Sequence, residues 1–115
     1  MMDKCTWPLG NNQSLDFDIY DPRTVSWNEV AGLYIFANLT DSTHWHSFYV
    51  GQTDNFKSRI PNHERWNSAV RHGATHVHAL VVPQAANRDT WERRLIALLQ
   101  PVLNDQLRAS RYSSM

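Results

Sequence analysis

The sequence predicts an α+β fold with sandwich-like layers, in which a small central antiparallel sheet of three strands is flanked by helices. Two apolar runs, Val30–Ala37 and Phe48–Gly51, bracket a polar stretch from Asn38 to His46, the pattern of a long-looped hairpin. An alternating, β-branched segment, Thr75–Val82, follows and closes at Pro83. Between and after these lie segments with helical spacing that stop at Gly73 and Pro101.

Residues 1–28 read as an irregular N-terminal extension. Trp7-Pro8, Gly10-Asn11-Asn12 and Asp21-Pro22 break it around one alternating stretch, Leu15–Tyr20, expected as an added edge strand. In the hairpin, side chains alternate across each strand, so Gly32, Tyr34 and Phe36 share one face of the first strand and Tyr49 and Gly51 share one face of the second. The two tyrosines can then be neighbours. Asp54 is placed to cap a short helix carrying Phe56 and Ile60, which ends because Pro61 lacks an N–H and restricts Ile60. A second helix is expected to restart near Asn62, to place Trp66, Ala69 and Val70 at helical spacing, and to stop at Gly73. The last helix is expected from about Asn87 or Asp89 through Gln100. These elements define a domain over residues 29–107, followed by a polar tail, 108–115.

A chain of 115 residues suits one hydrophobic core. The single cysteine, Cys5, forms no internal disulfide, and no long apolar run suggests a signal peptide or membrane span, so a cytoplasmic setting is expected. Net charge is zero but segregated: residues 1–54 hold seven acids against two bases, residues 55–115 nine bases against four acids. A basic half suits phosphates, although such segregation is often only solvated surface.

One carboxylate stands on the wrong side of its helix. At 100° per residue, Trp91, Leu95, Ile96, Leu98 and Leu99 form an apolar stripe that contains Glu92, while Arg93, Arg94, Ala97 and Gln100 fall opposite. A carboxylate aimed at a sheet needs a partner or a metal. The plainer reading is a capping box, with Asp89 as N-cap and Glu92 three residues on.

The set Gly32-Leu33-Tyr34, Tyr49-Val50-Gly51, Arg59, His63, Glu92 and Asn104, in that order, resembles the signature of the GIY-YIG nuclease superfamily. Arg59 lies ten residues after Tyr49, His63 four after Arg59, and Asn104 twelve after Glu92, in a Pro101-Val102-Leu103-Asn104 segment. The resemblance spans roughly residues 30–106, and its strength is in order and spacing, because each tripeptide alone is common in strands. Leu33 and Val50 replace the isoleucines that name the family, and fourteen residues separate Tyr34 from Tyr49, a longer loop than usual.

The resemblance implies a stand-alone, GIY-YIG endonuclease-like domain that hydrolyses phosphodiester bonds in DNA with Mg²⁺ or Mn²⁺. In that scheme Glu92 holds the metal and the fork-shaped Arg59 takes the phosphoryl oxygens. Water activation falls to a tyrosine, chiefly Tyr34, or to His63, which either takes the proton or orients the tyrosine; Tyr49 lies beside them. Asn104 is expected to hold active-site side chains or the substrate backbone by its amide. With no added DNA-recognition domain, specificity is left to the Asn38–His46 loop, the Asn62–His72 helix, the N-terminal segment or a partner chain.

Two other readings compete. A zinc site would use the paired histidines His44 and His46, or His76 and His78, with Cys5. A non-catalytic nucleic-acid-binding or protein-interaction module would keep the fold without the chemistry, with the acidic Asp16–Asp21 segment against a partner protein.

Overall fold

Eight elements follow one another in the computed structural model, which describes residues 4–40 and 44–104. They are β1 (Lys4–Gly10), β2 (Gln13–Tyr20), β3 (Gly32–Leu39), β4 (Trp45–Thr53), α1 (Phe56–Arg59), α2 (Trp66–His72), β5 (His76–Val81) and α3 (Ala85–Leu99). The strands form one antiparallel sheet in the order β1-β2-β5-β3-β4.

Five strands replace the expected three. The N-terminal extension is not irregular: Lys4–Gly10 and Gln13–Tyr20 pair as a hairpin through Asn11 and Asn12, both left-handed at φ 53° and 61°. Leu15–Tyr20 is therefore an inner strand, between β1 and β5. Pro8 and Gly10 conceal β1 in the sequence, yet Cys5, Trp7 and Leu9 alternate along it, and an edge strand tolerates proline.

β3 lies inside the sheet, so Gly32 through Ala37 is buried without a break. The core on one side of the sheet gathers Trp7, Leu9, Phe17, Leu33, Ile35 and Val50 with Leu95 and Ile96 of α3; the core on the other gathers Tyr34, Phe36, Phe48 and Val77 with Phe56, Ile60, Ala69 and Leu103. Thus α3 covers the first face and α1 with α2 the second. α3 touches both edge strands, β1 and β4, so the sheet curls around it. Arg94 fastens the β1 side by donating to the Leu9 and Gly10 carbonyls at 3.0 and 3.1 Å.

Helix boundaries differ from expectation by a few residues. Asn55, not Asp54, caps α1, its side chain accepting from the Lys57 and Ser58 N–H groups. α2 starts at Trp66 rather than near Asn62, which leaves His63 in the turn, and ends at Gly73 with φ 115°. α3 starts at Ala85, so Asp89 and Glu92 lie inside the helix and the capping box is excluded. Val70 and Leu98, assigned to apolar stripes, are 46% and 49% exposed. No helix among the described residues is long and apolar enough to cross a membrane. The centre of the hairpin loop, residues 41–43, and the tail from residue 105 lie outside the described residues.

Candidate active site

Strand pairing sets the tyrosines beside each other. Tyr34 pairs with Gly51 and Phe36 with Tyr49, and the two tyrosine rings lie 6.2 Å apart. Both motif glycines have a steric cause. A Cβ on Gly51 would stand 2.5 Å from the Tyr34 Cζ and hydroxyl oxygen; one on Gly32 would stand 2.1 Å from the Leu80 carbonyl oxygen. A register shift after Phe36 bulges β4 and turns the adjacent Phe48 and Tyr49 toward the same face.

The turn between α1 and α2 brings His63 onto this pair, 5.4 Å from the Tyr34 ring and 5.0 Å from that of Tyr49. The Tyr34 hydroxyl is 2.8 Å from His63 Nε2. The Arg65 backbone N–H donates to His63 Nδ1 at 3.0 Å. An accepting Nδ1 puts the proton of a neutral imidazole on Nε2, so Nε2–H donates to the Tyr34 oxygen. Burial, assisted by the Arg59 charge, lowers the His63 pKa to about 4, which keeps the ring neutral at pH 7.

Burial pushes the Tyr34 hydroxyl well above the ordinary phenol range; Tyr49 adds to this and the Arg59 guanidinium opposes it. Tyr49 is also raised, by burial first, with Arg59 again opposing. Arg59 ends α1 with its guanidinium partly exposed, and its two terminal nitrogens donate to the Glu64 carboxylate at 2.7 and 2.9 Å.

Glu92 points from α3 toward β4 and is half-buried. Gln52 holds it there: its amide nitrogen donates to Glu92 Oε1 at 2.9 Å and to Asp89 Oδ1 at 2.7 Å. Burial raises the Glu92 pKa and the Gln52 hydrogen bond opposes that rise. Its charge also contributes to the upward shift of both tyrosines, so Glu92 is within electrostatic reach of them across the edge strand.

Asn104 is spent differently from expectation. Its Oδ1 accepts from the Val50 N–H at 2.8 Å and its Nδ2 donates to the Val50 carbonyl at 2.7 Å, along the free edge of β4. It holds the main chain between Tyr49 and Gly51.

Tyr34, Tyr49, Arg59, His63 and Glu92 are thus gathered around one end of the β3–β4 hairpin. Gln52, Glu64 and the Arg65 amide were not foreseen. For Gln52 the signal was present: it follows Gly51 on the face shared with Val50, where a polar residue must meet α3. Among the described residues the histidine pairs are not joined by further metal-binding side chains. His78 is buried and its Nδ1 accepts from Trp7 Nε1 at 2.9 Å, and no three His, Cys, Asp or Glu side chains gather among the described residues. Burial moves the Cys5 thiol up to about 11.

No family model matches the chain, and no curated protein matches it. Solved structures do. The GIY-YIG N-terminal endonuclease domain of UvrC from Thermotoga maritima, bound to its catalytic divalent cation, magnesium, is 22% identical with a TM-score of 0.55, over 68% of this chain and 86% of that one. An asparagine-to-alanine point mutant of that domain, also with its catalytic divalent cation, gives 22% identity and a TM-score of 0.52 over 66% and 83%. This chain has the GIY-YIG endonuclease fold. β1 and β2 both precede the region of sequence resemblance, and α3 is the helix that carries Glu92.

Proposed function

We propose that the protein is a divalent-metal-dependent endonuclease that hydrolyses phosphodiester bonds in DNA. The observation that carries this reading is the joining of Tyr34 to the Nε2–H of His63, beside Arg59 and a half-buried Glu92, on a GIY-YIG fold. Packing alone does not require a phenol, an imidazole, a guanidinium and a carboxylate around one hairpin end.

Glu92 fits a hard cation. Gln52 holds Oε1, and Oε2 accepts no hydrogen bond among the described residues. Mg²⁺ or Mn²⁺ takes oxygen ligands and keeps several waters, so one carboxylate plus substrate oxygens is sufficient. Bound there, the ion supplies Lewis-acid stabilisation of phosphoryl charge.

Tyr34 takes the proton from the attacking water. Its burial opposes the phenolate, so two contacts must favour it: the His63 Nε2–H donated to its oxygen, and the positive charge of Arg59. His63 is a positioning residue, because its one lone pair is occupied by the Arg65 amide. Arg59 grips the non-bridging oxygens, and the Tyr49 hydroxyl, facing the same space, donates to them. Exposed Lys57, Arg71 and Arg93 give further phosphate contacts that fix register without reading sequence. Target choice is left to the hairpin loop, the α2 region, the N-terminal segment or a protein partner.

The test incubates wild type and Glu92→Gln, both checked for folding, with supercoiled, linear and single-stranded DNA, in Mg²⁺, Mn²⁺ or chelator. Metal-dependent cutting by wild type alone is expected. DNA binding with no cutting under any condition would favour the non-catalytic module, and undiminished cutting by Glu92→Gln would remove it as metal ligand.

A further inference from the structure

We propose that Glu64 is a built-in phosphate mimic, which occupies Arg59 until a phosphodiester of the nucleic-acid substrate displaces it. The inference rests on the nuclease reading and adds a gate to its phosphate subsite. Both terminal guanidinium nitrogens are engaged, at 2.7 and 2.9 Å, by the two oxygens of one carboxylate. A guanidinium fork accepts carboxylate and phosphate with the same bidentate geometry, so the two ligands compete for one position.

The pair is built to open. Its side chains are 37% and 62% exposed, and Arg59 is the only side chain that holds the Glu64 carboxylate among the described residues. Such pairs are weak individually, so a polyanion with several other contacts can replace Glu64 where a lone phosphate does not. The Arg59 pair holds the Glu64 carboxyl down at about 2, so it is charged throughout the working range. Glu64 thereby screens Arg59 from small anions.

The experiment measures fluorescence anisotropy of a labelled DNA duplex in chelator, where no cleavage occurs, across a salt series. Wild type, Glu64→Gln, Arg59→Ala and the double variant are compared, with folding checked by circular dichroism. Glu64→Gln should tighten binding roughly three- to tenfold. Its log-affinity against log-salt slope should stay close to that of wild type, because Arg59 makes the same phosphate contact in both once Glu64 is displaced. In the Arg59→Ala background the same substitution should change affinity by less than about twofold. Unchanged affinity in Glu64→Gln, or equal tightening in both backgrounds, would overturn the gate while leaving the nuclease reading intact. Absence of DNA binding by every variant would remove that reading and the gate with it.

Discussion

Replacing Gly51 by alanine tests whether the motif glycine exists to seat Tyr34. The added Cβ would lie 2.5 Å from the far end of that side chain. The far end of a tyrosine ordinarily moves at little cost, but here the residue is 1% exposed, bonded to His63 and packed against the tilted rings of Phe36 and Tyr49. Forcing it aside costs about 1–3 kcal/mol in overpacking and about 1 kcal/mol for the hydrogen bond. An unfolding entropy of about 2.1 cal/mol/K per residue makes this roughly 8–16 °C in Tm for 115 residues. Differential scanning calorimetry reads the shift, and ¹⁵N NMR of the His63 ring reads the lost contact. Cleavage should fall further than stability at temperatures where the variant stays folded. Gly32→Ala should be worse, because its Cβ meets the Leu80 main chain at 2.1 Å, which no rotamer change relieves. A Gly51→Ala protein with unaltered Tm and unaltered His63 resonances would refute the argument.

Asn104→Ala should cost about 2–4 kcal/mol by chemical denaturation, since it leaves the Val50 N–H and carbonyl without their partner at the edge of β4; a loss below about 0.5 kcal/mol would mean water replaces the amide. Gln52→Leu should weaken Mn²⁺ binding, read by electron paramagnetic resonance without DNA, because it frees Glu92 Oε1 and lets Asp89 and Glu92 separate; unchanged Mn²⁺ affinity would confine Gln52 to packing. Burial holds the folded-state pKa of His78 at about 3, below its unfolded value near 6.5, so the unfolded chain binds the extra proton between these limits. Stability should therefore fall as pH drops through that window, by up to about 1.4 kcal/mol per pH unit for this group. His78→Phe should flatten the slope, and an identical slope in the variant would assign it to other residues.

Local pattern alone was sufficient for the hairpin and its facing tyrosines, because strand alternation places Tyr34 and Tyr49 whatever surrounds them. The helical wheel was enough to turn Glu92 inward, and the order of Arg59, His63 and Asn104 marked them for the resemblance. Local pattern also misled. Pro8 and Gly10 hid β1, whose place in the sheet follows from closing a curled sheet around α3, a requirement that exists only once Trp7, Leu9 and Phe17 meet Leu95 and Ile96. Asn104 was legible as a conspicuous amide but not in its task, which depends on β4 being an edge with free main-chain groups. The sequence thus determined which chemical groups the protein owns and which faces of its strands and helices they occupy. Tertiary structure decided their pairing: the His63 tautomer set by the Arg65 amide, Gln52 shared by two carboxylates, and Glu64 on the Arg59 fork. Strand and helix periodicity acts over a few residues, whereas these contacts join main chain and side chains brought together only when turns and distant segments pack.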